Sequence, residues 1–293
     1  MTFVKRTLNA GYRAKQAGVI STGEARVKPC KVIIGACSSF VLGSACASPV
    51  DFSNALPNFF GAGIGSTTEY AGGKDRIVGV LPGMRYVTSG GHLFEWYGTY
   101  TQYNFGSLAG FQWGPALALR LGRRNVDDPV VSQVHDVSTT LEGGGYVGYE
   151  YSHVGDVPYR LRGEITVVTN AGSVYTGART SVNTSAWFPL HSRVFIGGGL
   201  GATWVSGGFN ETYYGVTSED SQKSGLPVFN PGGGLNQITG WVAGIFQISP
   251  KWYAGAMVYY QRLMGDSAAS PIVTQRGTRN QLTYGVGLAY AFR

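Results

Sequence analysis

The stretch Gln281 to Phe292 reads Q-L-T-Y-G-V-G-L-A-Y-A-F, and the fold follows from how it is read. Leu282, Tyr284, Val286, Leu288, Tyr290 and Phe292 alternate with Gln281, Thr283, Gly285, Gly287, Ala289 and Ala291. That alternation has the period of two of a β-strand, whose side chains point to opposite faces. A soluble sheet buries its apolar face and wets the other. Here the second face is mostly Gly and Ala, as suits the inside of a barrel, and the greasy face ends in two aromatics, where a girdle meets the membrane interface. The run is long enough for a tilted strand to cross a bilayer, which takes roughly 9–11 residues.

Working backwards, the same pattern recurs. Trp252–Met264 and Ile238–Ile248 form a hairpin over Ser249-Pro250-Lys251, and Arg193–Trp204, Val174–Phe188, Tyr159–Thr169, Leu141–Ser152 and Phe111–Gly122 precede them. His92–Tyr103 sets Phe94, Trp96 and Tyr100 against Glu95, Tyr97, Thr99 and Thr101; Ile77–Thr88 is mixed and Asn58–Ser66 is short. With the last strand these are eleven runs. Closed bacterial barrels have an even number of strands, so the expectation is an all-β, antiparallel transmembrane β-barrel of about twelve strands, with ten as the next choice. A C-terminus on the periplasmic side makes Arg123–Thr140, Ser206–Asn236 and Gly265–Asn280 long outer loops, with Pro189–Ser192 and Ser249–Lys251 as short inner turns, the asymmetry such barrels show.

The chain has 293 residues and a net charge of +7, which on its face suits a nucleic-acid partner. Its distribution argues otherwise. Lys5, Arg6, Arg13, Lys15, Arg26, Lys28 and Lys31 stand against Glu24 alone within residues 1–47, while the rest of the chain carries 16 basic and 15 acidic residues. Lys28 and Lys31 precede the apolar run Val32–Leu42, and Ala45-Cys46-Ala47 fits a signal-peptidase site. The expectation is a signal peptide over 1–47, with an unusually long basic start, and a barrel domain over 48–293. Cys30, Cys37 and Cys46 all lie in the leader, so no disulfide framework or cysteine metal site is expected beyond it. No apolar run after residue 47 is long enough for a membrane helix.

The polar faces of the runs collect Arg85, Glu95, Arg120, Glu142, Glu150, Arg160, Arg162, Glu164 and Arg179. They read either as the selectivity lining of a pore or as a ladder of ion pairs filling a narrow lumen, since buried charges persist when paired. The ladder is the favoured reading, with Glu142 and Glu150 facing Arg160 and Arg162 across neighbouring strands. Catalysis finds no motif: His92, His153 and His191 fall at strand ends or turns, His135 lies in a loop, and no serine has a nucleophile's surroundings. No cofactor and no metal site are expected. Asp127-Asp128 and Glu219-Asp220 are read as solvated acid pairs. Gly143–Gly145 and Gly197–Gly199 lack the Lys-Ser/Thr of a phosphate loop and fit barrel bending or the close approach of a plug.

Two loops are distinctive. Thr217-Ser218-Glu219-Asp220 starts like a capping box and Gly225 stops a helix, so a short helix is expected near Ser218–Ser224. Tyr214-Gly215-Val216-Thr217, Ser224-Gly225-Leu226-Pro227, Gly232-Gly233-Gly234-Leu235, the run Leu263-Met264-Gly265-Asp266-Ser267-Ala268-Ala269-Ser270-Pro271-Ile272-Val273 and Arg276-Gly277 together resemble the MipA/OmpV family of outer-membrane proteins, which includes the MltA-interacting protein. The resemblance is densest over about 210–292. A final aromatic such as Phe292 is similar to the terminal strand of bacterial outer-membrane barrels, and the trailing Arg293 departs from that pattern. The resemblance implies a barrel surrounded by outer-membrane lipid, with roles as a scaffold between a lytic transglycosylase and a penicillin-binding protein, or as an adhesin. No motif here carries either role. Tyr214, Glu219, Asp220, Asp266 and Arg276 are the candidate contact residues on the loops. The functional expectation is a non-enzymatic outer-membrane interaction protein; the alternatives are a small-solute channel or uptake pore and, more remotely, an adhesin or a barrel lipase.

Overall fold

The computed structural model describes residues 57–155 and 157–292. The expected leader and Arg293 lie outside them. Twelve antiparallel strands close into a barrel in which each is hydrogen-bonded to its chain neighbours and β1 to β12. They are β1 (Asn58–Thr68), β2 (Arg76–Val87), β3 (Leu93–Tyr97), β4 (Tyr100–Asn104), β5 (Gly110–Arg120), β6 (Thr140–His153), β7 (Tyr159–Asn170), β8 (Ala178–His191), β9 (Val194–Val205), β10 (Gly234–Gln247), β11 (Trp252–Leu263) and β12 (Asn280–Phe292). Closure leaves no free sheet edge around most of the wall, which is what lets strands cross lipid.

The last strand faces as its alternation requires. Leu288 is 53% exposed on the lipid side and Ala289 is 1% exposed inside. β12 pairs with β1 from Asn58↔Phe292 to Ser66↔Tyr284, bringing Gly63 opposite Gly287 and Gly65 opposite Gly285. Tyr290 and Phe292 join Phe60, Tyr86 and Trp252 in one outward aromatic cluster, with ring centroids 5.3–6.4 Å apart. This is a girdle at the end of the barrel that carries the short turns.

The run His92–Tyr103 is not one strand. It is the hairpin β3–β4, turned at Gly98 with φ 58°. This supplies the strand missing from the count of eleven. It also corrects the face of Tyr100. Tyr97 and Tyr100 are register partners, and partners directly opposite share a face. Tyr100 therefore points inward beside Gln102 rather than outward with Trp96, its hydroxyl donating to Gln102 Oε1 at 3.0 Å. A tight turn resets the alternation, so extrapolating one period through it put Tyr100 on the wrong side.

The hairpin is short, and this breaks the evenness of the wall. β2 pairs with β3 only over Gly83–Val87, and β5 with β4 only over Ala116–Ala118. Above the hairpin tip, β2 has β1 on one side and no described strand on the other. Pro82 sits on that open edge, its carbonyl accepting from Gly98 N–H at 2.8 Å. Proline has no N–H to leave unpaired, so an edge is where a strand tolerates it.

The two ends close differently. At the end with short turns, Phe59, Trp187, Phe195, Ile245, Tyr253, Ala289 and Ala291 form an apolar floor built from the strands themselves. At the other end the long loops fold into a cap. It holds α1 (Gly207–Tyr214), α2 (Ser218–Ser224), α3 (Gly265–Ala269) and α4 (Pro271–Thr274). The α2 helix has the expected start: Thr217 accepts from Asp220 N–H, Asp220 accepts from Thr217 N–H, and Gly225 ends it in the left-handed region. The other three helices were expected as loop. They are only four to eight residues long, and their packing comes from the cap's two apolar clusters, one around Phe209, Tyr213 and Tyr214, the other around Tyr70, Val131, Leu226 and Ile272. Tertiary burial rather than propensity makes them helical. Strand β10 also begins earlier than expected, and β8 later, with Val174 packed in the cap cluster.

Candidate functional site

All nine charges expected in the lumen lie on its inner face, and seven of them form the ion pairs described below. Arg160 Nη2 donates to Glu150 Oε2, both nearly fully buried. Arg179 donates to Glu142, which also accepts from Tyr175 Oη at 2.9 Å. Arg162 Nη1 donates to Glu95 Oε2 at 3.0 Å, and Glu95, 0% exposed, accepts from Gln102 and Tyr97 as well. Arg162 Nη2 lies 3.0 Å from Glu164 without the angle of a hydrogen bond, so the pair is Coulombic there. Arg120 stacks on Phe209 and Tyr213, with its guanidinium carbon 4.7 and 4.8 Å from their ring centroids. Arg85 is buried with Glu95 as its register partner.

The pairing partners differ from those expected in two cases. Glu142 pairs with β8 rather than its neighbour β7, and Arg162 reaches from β7 to Glu95 on β3, across the barrel. Small inward residues such as Gly144 and Gly148 leave room for a long guanidinium to cross the lumen. Removing one partner of such a buried pair strands the other charge in a low dielectric.

Beside these charges lies an internal cavity of about 120 Å³. Arg160, Arg162 and Glu164 line it from β7 and Arg179, Ser181, Asn183 and Trp187 from β8; Thr239 and Trp241 of β10 and Tyr259 of β11 complete the lining. The Gly197–Gly199 run shapes the wall beside the indoles. A Cβ at Gly197 would stand 2.4 Å from the Trp187 ring, and one at Gly199 would stand 2.4 Å from Trp241 Nε1. Only glycine lets both indoles lie flush against β9.

The cap is latched by polar groups, and four of the five candidate loop residues belong to its latches. Tyr214 is fully buried, and its carbonyl accepts from Ser270 Oγ at 2.7 Å. Asp266 Oδ2 accepts from Gly232 N–H at 2.7 Å. Arg276 forks onto Asp128 at 2.9–3.2 Å, and Asp128 also accepts from the N–H groups of Val130 and Val131. Asp220 accepts from His135 N–H and Nδ1, both at 2.7 Å. Glu219 stands apart, exposed and, among the described residues, in an ion pair with Lys223 one helical turn away. Asp128 and Asp220 are therefore not solvated, as acid pairs on a loop were expected to be. Burial raises the pKa of Asp220, but the bonds from His135 and Thr217 outweigh it and hold the carboxyl at about 2. Burial likewise opposes ionisation of Asp128, and Arg276 with the two N–H groups outweighs it, lowering its pKa. Burial raises the Tyr70 hydroxyl.

Sequence reasoning missed Asp128, His135 and Arg123 as latch residues. Arg123 donates to the carbonyls of Tyr213 and His135, at 2.8 and 3.2 Å. Loop residues paired over such separations leave no local spacing to detect.

A twelve-strand barrel with a lipid-facing apolar surface, an aromatic girdle and a buried cluster at each end of its lumen is an outer-membrane β-barrel protein. The chain belongs to the family described as MltA-interacting protein MipA, whose profile matches residues 60–292. Its place is the outer membrane. Among solved structures it is similar to in-vitro folded OmpT of Vibrio cholerae, at 8% identity over 81% of this chain and 97% of that one, with a TM-score of 0.37. It is also similar to an outer membrane channel of Pseudomonas putida F1, at 11% identity, covering 80% and 96%, with a TM-score of 0.37. The outer membrane channel DcaP of Acinetobacter baumannii aligns at 11% identity over 86% and 100%, with a TM-score of 0.32. A comparison with curated proteins gave no match.

Proposed function

We propose that this chain is a non-conducting interaction protein, which holds a murein-cleaving lytic transglycosylase at the periplasmic rim of the barrel. The observation that carries the reading is the pair of buried clusters, one built from the strands and one from the latched loops, at the two ends of the lumen. Solute passage, the alternative, requires the strand-built floor and the latched cap to open together. The rim supports a docking role: Val154, Val157 and Leu190, on the β6–β7 turn and at the end of β8, are 56%, 68% and 73% exposed. Exposed apolar side chains gathered at the rim, Val154 and Val157 on a turn and Leu190 at the last residues of a strand, support a protein-binding surface. The family's description names the class of partner. A non-enzymatic role fits the cap, where His135 pairs with Asp220 but its Nε2 meets the Thr212 carbonyl at 3.1 Å, the place a nucleophile would need. The same reading takes residues 1–47 as a removed leader.

Two experiments test it. In planar bilayers the purified protein is expected to be silent; stable single-channel steps would favour the channel. Immobilised barrel should capture a purified lytic transglycosylase, with a penicillin-binding protein tested alongside. Loss of capture in Val157→Asp and Leu190→Asp variants is expected, and capture that survives both changes would overturn the rim assignment.

A further inference from the structure

The lumen cavity has a chemical bias that a closed interaction barrel does not need. Three arginines line it, Arg160, Arg162 and Arg179, against one carboxylate, Glu164. Glu150, Glu95 and Glu142, the carboxylates that pair with those arginines, are not part of the lining. Counting the whole lumen, Arg85, Arg120, Arg160, Arg162 and Arg179 outnumber Glu95, Glu142, Glu150 and Glu164 by one among the described residues.

The pairing also leaves donors over. Arg160 has a side chain only 7% exposed, and while Nη2 is bonded to Glu150, Nη1 is buried with no hydrogen-bond partner among the described residues. Arg162 Nε is in the same position. A buried unpaired donor costs about 1–3 kcal/mol, and more when it is charged. Only an acceptor relieves it, and a group with several lone pairs relieves more than one donor at once. The rest of the lining asks for something different. Trp241, Trp187 and Tyr259 present ring surface, which is covered best by another apolar or planar face. The volume, about 120 Å³, is close to that of an apolar cavity of about 150 Å³ that takes up benzene, and far more than one small inorganic ion fills.

We propose that this cavity binds a small organic oxyanion, its carboxylate or phosphate on Arg160 and Arg162 and its ring or apolar face on Trp241. The site lies beside Tyr97 and Tyr100, where the short β3–β4 hairpin leaves the edge of β2 unpaired. It is independent of the rim, so its failure leaves the interaction reading standing, and the reverse also holds.

The test is titration calorimetry on the detergent-solubilised barrel, with tryptophan fluorescence as a second readout. Sodium benzoate is the probe, benzamide the uncharged control of the same shape, and inorganic phosphate the bare oxyanion. Benzoate is expected to saturate with a Kd of about 1 mM or below, benzamide to show no saturable heat, and phosphate to bind at least tenfold more weakly than benzoate. Arg160→Lys keeps a cation for Glu150 but removes Nη1, and should weaken benzoate at least tenfold. If that variant does not fold, the neutral pair Arg160→Gln with Glu150→Gln replaces it, with the same expectation. Equal binding of benzamide, phosphate binding without benzoate binding, or unchanged affinity in the arginine variant would each overturn the proposal.

Discussion

Asp220 is the point at which the cap can be loosened without touching the barrel wall. Its carboxylate accepts from His135 N–H and Nδ1 at 2.7 Å and from Thr217 N–H at 3.0 Å, joining the β5–β6 loop to the start of α2. Asp220→Asn keeps the shape but replaces one acceptor oxygen with a donor, so at least one of these three donors loses its partner. A hydrogen bond to a charged group contributes about 1.5–3 kcal/mol. The depressed pKa expresses the same bonds as a pH dependence. A fall from 3.8 to about 2 corresponds to about 2 kcal/mol favouring the folded cap at neutral pH. Because the folded value is the lower one, this stabilisation is complete above pH 4 or so and is lost as pH falls towards 2; Asp128, shifted the same way, adds to it. Hydrogen exchange in detergent measures this directly. At pH 7 the Asp220→Asn change should speed exchange in residues 131–137 and 217–224 by roughly tenfold to a hundredfold, with strands β6–β9 unchanged. Unchanged exchange in those segments, or an equal rise throughout the barrel, would refute the view of the cap as a separately latched unit.

Three further outcomes follow from the same contacts. Arg276→Ala leaves the buried Asp128 without its forked partner, and should cost the cap about 2–4 kcal/mol, read as faster tryptic cleavage after Lys74 and Arg124; an unaltered digest would count against the latch. Glu95→Gln strips the acceptor from Arg162 in the lumen and should lower the yield of heat-modifiable barrel on SDS gels, while Glu95→Gln with Arg162→Gln recovers part of it; a single variant that folds as well as the parent would show that the pair is dispensable. Gly197→Val should displace the Trp187 ring, the nearest group to its new side chain, costing about 1–3 kcal/mol and red-shifting tryptophan emission, and an unshifted spectrum would contradict the flush packing.

The wall was legible because a membrane barrel writes its inside and outside into alternate residues, and β12 or β5 shows that pattern without interruption. It failed at His92–Tyr103, where two five-residue strands and a glycine turn imitate one longer run. Nothing in Phe94, Trp96 and Tyr100 distinguishes one strand from a hairpin, since the turn carries no Asn-Gly or Pro-Gly pair. The lumen charges could be chosen by face alone, but not their partners. Which carboxylate Arg162 reaches depends on barrel diameter and on which side chains of more distant strands enter the lumen at its level. The helix α2 was legible because its cap is local, Thr217 to Asp220 to Gly225. Helix α1 was not, because Phe209, Tyr213 and Tyr214 become its stabilising face only once Arg120, Tyr175 and Leu263 surround them.

The contrast between the two ends bears on how the protein works. Phe59, Phe195, Ile245 and Tyr253 close the floor, and each belongs to a strand held on both sides by its neighbours. Moving them means breaking ladder bonds in lipid, where a freed N–H or C=O finds no water. The cap residues belong to loops, joined to the wall by latches that water can replace. Only the outer end can therefore open at a cost of a few kcal/mol, and opening it exposes the arginine-lined cavity without making a through-pore. If the cavity takes the oxyanion and the rim the partner proposed above, a barrel built this way would let the first enter from outside while the second kept a rigid seat.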